Sequence, residues 1–291
     1  MTEAGNAPFA GANALIFGGA KGIGRAVAME WARRGASLAV ADIDEAAAIE
    51  TAEAIAAEGG RAIAMKTDVA SEESIAEAAA RTEAELGEIG IVMNNVGVVL
   101  NGHPLDIPMA EWHRIFELNY FSIVRSNAVF LPKFLERGSG HIVCTASYAG
   151  LYPYAAGRMP YASSKAAIVS LCENLAILTE PEGVRVSCLI PGPTATQITD
   201  GMKDWTPDLP MYGPGKETVL ITPQQLAATL ADGMRDGRIL VPAGGEAFEI
   251  VRRHADNPDA FVRQKIAEHA AGDHGMPQVP EEMLKQMRGE S

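Results

Sequence analysis

The chain has 291 residues, 47% of them hydrophobic, with 29 glycines, 17 prolines and a formal net charge of −13. This length and composition suit one large α/β domain or two small ones with many turns, and exclude a disordered chain. The acidic balance argues against nucleic acid as a partner, and no apolar stretch approaches the ~20 residues of a membrane span.

Three cysteines (Cys144, Cys172, Cys188) lie in apolar runs without C-x-x-C spacing, as expected of buried thiols in a reducing compartment. The opening Met-Thr-Glu-Ala-Gly-Asn lacks the charged and apolar regions of a signal peptide. A cytoplasmic protein is the expectation.

In chain order, residues 14–17 read as a short strand, followed by the loop Gly18-Gly-Ala-Lys21-Gly22-Ile23-Gly24. A helix then runs to about Arg34, with Ile23, Val27 and Trp31 on one stripe and Gly35 placed to end it. A strand at 37–41 closes on Asp42, and an Ala/Glu-rich helix from about Asp44 ends at Gly59-Gly60. A third strand at 62–65 precedes Thr67-Asp68, where Ser71 can cap the next helix; Ser74 stands where a glutamate would complete a capping box. A strand at 91–93 leads into Asn94-Asn95-Val96-Gly97. Then come a long amphipathic helix at 109–135, a strand at 141–145, a helix at 161–178 and a strand at 184–190. Repeated strand–helix units of this length predict a doubly wound, Rossmann-type parallel sheet with helices on both faces, binding ligands beyond the carboxyl ends of its strands.

Gly-x-x-x-Gly-x-Gly between strand and helix lets the backbone turn tightly and approach a pyrophosphate at the helix N-terminus. Asp42 can accept hydrogen bonds from ribose hydroxyls and would repel a 2′-phosphate, which favours NAD over NADP. Lys21 argues the other way, but Ile43 follows Asp42 where a 2′-phosphate would want an arginine. Tyr161 and Lys165, four apart, share one helix face. An ammonium ~4 Å from a phenol, at an effective dielectric of about 20, favours the phenolate by about 4 kcal/mol. That is roughly 3 pKa units at most, enough to move a phenol towards neutrality, where a general base works best.

With these motifs in order, the chain resembles the compact, single-domain type of short-chain dehydrogenase/reductase over about residues 10 to 200. The resemblance implies the remaining site residues. Gly18, Lys21, Gly22, Ile23 and Gly24 fall in its glycine motif, and Asp68 with Val69 at its adenine-side position. Asn95 and Gly97 belong to its Asn-Asn-Ala-Gly segment, and Pro191, Gly192, Thr194 and Thr196 to its nicotinamide-side turn. Asn119, Ser147, Tyr161 and Lys165 match its catalytic set. Tyr161 would then take a proton from a substrate hydroxyl. Lys165 would lower its pKa and bond the nicotinamide ribose, Ser147 would hold the substrate oxygen, and Asn119 would seat a water. The family commonly forms dimers or tetramers, so a homodimer or homotetramer is implied.

Two departures stand out. Phe17 replaces the threonine that usually precedes the first glycine. The usual C-terminal strand is also replaced: a helix at 223–235 and a strand at 238–242 complete a domain expected over 1–245. An extension at 246–291, helical and then irregular, follows. Phe248, Val251, Phe261, Val262 and Ile266 suggest a helix there, either a solvated surface helix or an interface or lid. The Pro/Gly-rich stretch 193–222 has the character of a lid. Val99, Tyr148, Tyr154, Met202 and Trp205 are expected to line an apolar substrate pocket, suited to a hydrophobic, aromatic or alicyclic secondary alcohol or its ketone. An NADPH-dependent ketone reductase and a nucleotide-sensing regulator are the alternatives. A serine hydrolase is disfavoured because Ser147 lacks a Gly-x-Ser-x-Gly elbow, and a metal enzyme because the six histidines show no ligand spacing.

Overall fold

Short runs of Ala, Val, Ile and Leu, too short for helices and bounded by Gly, Asp or Asn, form strands buried on both faces. β1 (Asn13–Phe17) is followed by α1 (Gly22–Arg33), β2 (Ser37–Asp42), α2 (Glu45–Ala57), β3 (Ala62–Lys66), α3 (Glu72–Leu86) and β4 (Ile89–Asn94). The second half contains β5 (Leu100–Asn101), α4 (Met109–Phe116), α5 (Ser122–Arg137), β6 (Gly140–Thr145), α6 (Met159–Thr179) and β7 (Val184–Pro191). β8 (Lys203–Asp204), α7 (Pro223–Arg235), β9 (Leu240–Ala243), α8 (Ala247–Asp256), α9 (Pro258–Ala270) and α10 (Glu281–Arg288) complete the chain. This structure is a computed structural model and describes residues 8–200 and 202–288; the stretch 1–6 read above for targeting lies outside them.

Seven strands form one parallel sheet in the order β3-β2-β1-β4-β6-β7-β9. Alternation along β1 sends Ala14 and Ile16 to one face, against Val27 and Trp31 of α1, Ile55 of α2 and Leu230 of α7. Leu15 and Phe17 face Ile75 of α3, Phe130 of α5 and Ile168 of α6. The strand order reverses between β1 and β4, whose ends are in register at Phe17 and Asn94. This reversal opens the crevice in which such sheets bind ligands.

Three features differ from the sequence reading. The helix expected over 109–135 is interrupted by a π turn, Glu117–Phe121, between α4 and α5. The lid stretch is not wholly irregular: β8 pairs in parallel with β5 as a separate two-stranded sheet. The extension holds two helices where one was read, because Asn257 accepts from the Ala260 N–H and Pro258 starts α9 afresh. After the expected irregular stretch, 271–280, it also forms α10. Ala247, Ile250 and Phe261 are buried in the main core, so the extension is not a solvated appendage. Among the described residues, no helix is long and apolar enough to cross a membrane.

Candidate active site

The site forms where β1, β4, β6 and β7 end. Gly18 follows β1 with φ 76°, and its N–H donates to Ala41 O across to β2 at 2.8 Å. A Cβ at Gly24 would stand 1.9 Å from Gly18 O and 2.8 Å from Asn95 Nδ2, so only glycine lets α1 approach the loop this closely. Lys21, the residue preceding α1, offers its helix no side-chain cap, and no acid lies in the first turn. The first N–H groups of α1 are therefore left for an anion, with the positive end of the helix dipole behind them.

Around this cradle, Asp42 accepts from the Ala20 and Asp44 N–H groups, both at 3.1 Å. Lys21 Nζ is 2.6 Å from Asp44 Oδ2, so its charge already has a partner. Thr51 on α2 donates to Ala20 O at 2.8 Å and steadies the glycine loop, while Phe17 lies buried in the core. Asn95 donates to Gly18 O at 2.9 Å and accepts from Thr145 Oγ1 at 3.0 Å, tying the glycine loop to the end of β6. Exposed Asp68 bonds the Ala70 N–H at 2.9 Å beside buried Val69. Thr196 lies close to Gly22, within 3.8 Å of where a Cβ there would be, while Ile23 packs beneath on the α1 side of the sheet. At β7, Pro191 leads to Gly192, whose N–H donates to Ala243 O at 2.7 Å; Thr194 Oγ1 donates back to Gly192 O at 3.1 Å.

Tyr161 and Lys165 lie one turn apart on α6, both buried. Lys165 Nζ donates to Thr145 O at 2.7 Å and sits 5.6 Å from the Tyr161 ring centroid. Ser147 begins a 3₁₀ turn directly against α6: a Cβ at Gly150 would stand 2.6 Å from Lys165 O. Asn119 lies in the π turn, fully buried, and donates to Val98 O and Ser164 Oγ, each at 3.0 Å, while accepting from the Val98 N–H at 2.8 Å. Both N–H groups of its amide are spent on clamping the β4–β5 connection to α6, which leaves an acceptor and not a donor for the expected water. A Cβ at Gly97 would stand 3.2 Å from Lys165 Nζ, so the turn after β4 passes close to the ammonium.

The electrostatics correct one expectation. Burial pushes the Tyr161 phenol above its usual value, opposed by a hydrogen bond from Ser147, so Lys165 does not by itself bring it towards neutrality. The reason is geometric: the ammonium lies under the ring and is turned to Thr145 O rather than to the phenol oxygen. Burial also lowers Lys165 to about 8, against the Cys188 and Cys144 thiols.

The substrate-side expectations divide. Val99 and Tyr154 are buried beside the site, and burial pushes Tyr154 up to about 12. Met202 packs on the same core. Tyr148 is instead an interior residue: it is fully buried, its hydroxyl donates to Gly245 O at 3.2 Å, and its ring fills the space under Gly192. Trp205 packs on a satellite cluster of Leu100, Ile107 and Ile115 beside β5. Sequence reasoning missed Thr145 and Ser164, backbone-facing residues that hold Lys165 and Asn119. It also missed Glu111, which receives Lys203 at 2.5 Å and Arg114 at 2.7 Å and so pins β8 to α4. Ser164 had a signal, its i+3 position from Tyr161, whose carbonyl it bonds at 2.7 Å. Glu111 had none in the local sequence. Among the described residues, no cluster of His, Cys, Asp or Glu could hold a metal ion.

Residues 12–207 match a family described as short chain dehydrogenase, and residues 251–290 a family of unknown function, DUF1059. A 1-deoxy-11-beta-hydroxypentalenate dehydrogenase from Streptomyces exfoliatus is 34% identical over 263 residues, covering 87% of this chain and 93% of its own. The 3beta-hydroxysteroid dehydrogenase 2 of Eggerthella lenta is 33% identical over 208 residues, covering 70% of this chain and 79% of its own. Among solved structures, a short chain dehydrogenase/reductase from Burkholderia phymatum, in complex with NAD, aligns with a TM-score of 0.76 at 26% identity. That alignment covers 87% of this chain and 95% of that one.

Proposed function

The chain belongs to the short-chain dehydrogenase/reductase family, and we propose that within it this protein is an NAD-dependent dehydrogenase of hydrophobic, alicyclic or aromatic secondary alcohols, acting reversibly on the matching ketones. The observation that carries this reading is the buried Tyr161–Lys165 pair with Ser147 packed against it, beside a glycine cradle and an uncapped helix N-terminus. The cradle suits a dinucleotide: Gly18 and Gly24 let the loop fold tightly against Val96 and onto itself, Gly22 at φ 53° opens the turn into α1, and the free N–H groups of α1 suit the charge of a pyrophosphate. Asp42 would meet the adenosine ribose, with Asp68 and Val69 on the adenine side. Asn95 and Gly97 would border the nicotinamide half, and Pro191, Gly192, Thr194 and Thr196 would close over it. The ion pair of Lys21 with Asp44 supports NAD, because a 2′-phosphate would have to break it. When bound, the dinucleotide supplies the hydride acceptor.

The chain's own groups would do the rest. Ser147 would hydrogen-bond the substrate oxygen and stabilise charge developing there. Tyr161 would take the hydroxyl proton in alcohol oxidation and return it in ketone reduction. Lys165, kept cationic, would stabilise the buried phenolate through the ring and the space above it. Asn119 would fix the geometry by holding Val98 and Ser164. Val99, Tyr154 and Met202 support an apolar pocket, and relatives named for hydroxysteroids and a hydroxypentalenate support an alicyclic substrate.

A panel of secondary alcohols with NAD and with NADP, following reduced cofactor, tests the proposal. Tyr161→Phe should lower kcat by about a thousandfold while NAD affinity changes less than about twofold. Substantial residual turnover, or better turnover with NADP at equal concentration, would sink the corresponding assignment.

A further inference from the structure

The lid and the C-terminal extension meet along contacts that the sheet does not require. The Gln278 N–H donates to Thr218 O and the Leu220 N–H to Gln278 O, both at 2.8 Å. The Gly213 N–H donates to His274 O at 2.7 Å and the Gly215 N–H to Gly275 O at 2.9 Å. A Cβ at Gly213 would stand 2.4 Å from Gly275 O, so the two backbones touch with no room for a side chain. Lys216 pairs with Asp273 at 2.5 Å, and the Tyr212 ring stacks on His269 at 3.6 Å between centroids, 17° from parallel.

From the other side, Tyr152 reaches the same lid segment. Its hydroxyl donates to Pro214 O at 3.0 Å, and its ring lies edge-on to Phe261 of α9 and 5.4 Å from Tyr154. Tyr152 is buried at 3% exposure, so this hydroxyl has exchanged water for a single acceptor on the lid. One residue between Ser147 and Tyr161 thus touches the substrate wall, the lid and the extension.

We infer that the extension is a strap fixing the second half of the lid, residues 211–221, and that Tyr152 is the positioning residue that passes this geometry to the substrate side. Substrate affinity is then set in part by residues 246–280, far in sequence from the reacting groups. The inference builds on the dehydrogenase reading above and adds a specificity element to it. The first half of the lid is held separately, by β8 on β5 and by Lys203 on Glu111.

Two variants of the full chain test it. Tyr152→Phe removes only the hydroxyl and keeps the ring against Phe261. Asp273→Ala removes the Lys216 pair and the bond at 3.0 Å that steadies the Gly275 N–H, both outside the pocket. Each should raise substrate KM about three- to tenfold, the equivalent of one net hydrogen bond, while kcat and NAD affinity change less than about twofold. Each should also speed limited proteolysis within 193–222. Unchanged KM and unchanged cleavage in both variants would overturn the strap, as would losses of kcat and NAD affinity as large as the rise in KM. If the unaltered chain oxidises no secondary alcohol, the dehydrogenase reading fails by itself, and the cleavage rates still decide the strap.

Discussion

The nucleotide side and the substrate side of this site are held by different means. On the nucleotide side, apart from Thr51 of α2 on Ala20 O, the ties join the ends of neighbouring strands or the turns leaving them: Asp42 to Ala20, Asn95 to Gly18, Thr145 to Asn95. Once the parallel register forms, those groups are already opposite one another. On the substrate side, Lys203 meets Glu111 and Lys216 meets Asp273, at sequence separations of 92 and 57, with no strand register of the main sheet to bring them together. The first side inherits its geometry from the sheet, whereas the second must assemble its own. Changes to the first should therefore fail abruptly, and changes to the second should grade.

The sharpest break of this comparison is Lys165→Met, which should cost about a thousandfold or more in turnover while stabilising the fold. Lys165 falls from 10.5 to about 8 through burial. The unfolded chain therefore holds that proton more tightly, the cost of the buried charge is present below pH 8, and it fades as pH rises from 8 towards 10.5. Removing the charge should recover up to about 3 kcal/mol at pH 7, less about 1 kcal/mol for the lost bond to Thr145 O. Thermal melting against pH checks this; a lower Tm in the variant at pH 7 would contradict it.

Gly24→Ala strikes the nucleotide side alone. Its Cβ meets backbone at 1.9 Å, which nothing flexible can relieve. Dinucleotide affinity should fall about a hundredfold by titration, with ~1–3 kcal/mol of stability lost to overpacking.

Mild acid should strike both sides together, through the sheet they share. His141 Nε2 lies 3.0 Å from Ser187 Oγ, which itself donates to Arg238 O, so the ring is a neutral donor there, and its Nδ1 is buried without a partner. Burial, with Arg185 nearby, lowers its pKa from 6.5 to about 3. The unfolded chain therefore binds a proton that the native one refuses. Stability from this group is complete above pH 6.5 and should fall by ~1.4 kcal/mol per pH unit below it. Melting between pH 7 and 5 reads the slope, which should flatten in His141→Leu.

The mildest effect belongs to the substrate side. Glu111→Ala frees Lys203 and loosens only the first half of the lid, so KM should rise about three- to tenfold with kcat little changed. A loss of dinucleotide affinity instead would show that the two sides are not held independently.

The sequence made the nucleotide side legible because strand, glycine turn and helix follow one another locally, and the Tyr161–Lys165 spacing survives translation into a helix unchanged. It misled where the outcome depends on what surrounds a group. Burial rather than the neighbouring ammonium governs Tyr161, and Tyr148 looked like a pocket aromatic but packs under Gly192. The lid–extension pairing was out of reach because its partners share no local pattern. The break between α8 and α9 was not, since Asn257-Pro258 is a cap followed by a first-turn proline.

The π turn at Glu117–Phe121 also solves a problem of phase. Glu111, Ile115, Asn119, Ser122, Ile123, Ser126, Phe130 and Phe134 are the residues that α4, the turn and α5 bury, a stripe recurring nearly every fourth residue. From 111 to 134 an undistorted helix would overshoot six full turns by ~140°, swinging Phe134 away from the sheet; one extra residue in the turn takes back ~100° of that. Inserting one residue into 117–121 would then swing the two ends ~100° apart, whereas deleting one would give a regular helix whose ends keep their faces and would cost only the widened turn that carries Asn119. After the insertion either Ile115 or Phe130 would leave the core; after the deletion both would stay, but Asn119 would no longer meet Val98. This segment should tolerate many substitutions on its outer face, and a one-residue deletion better than a one-residue insertion.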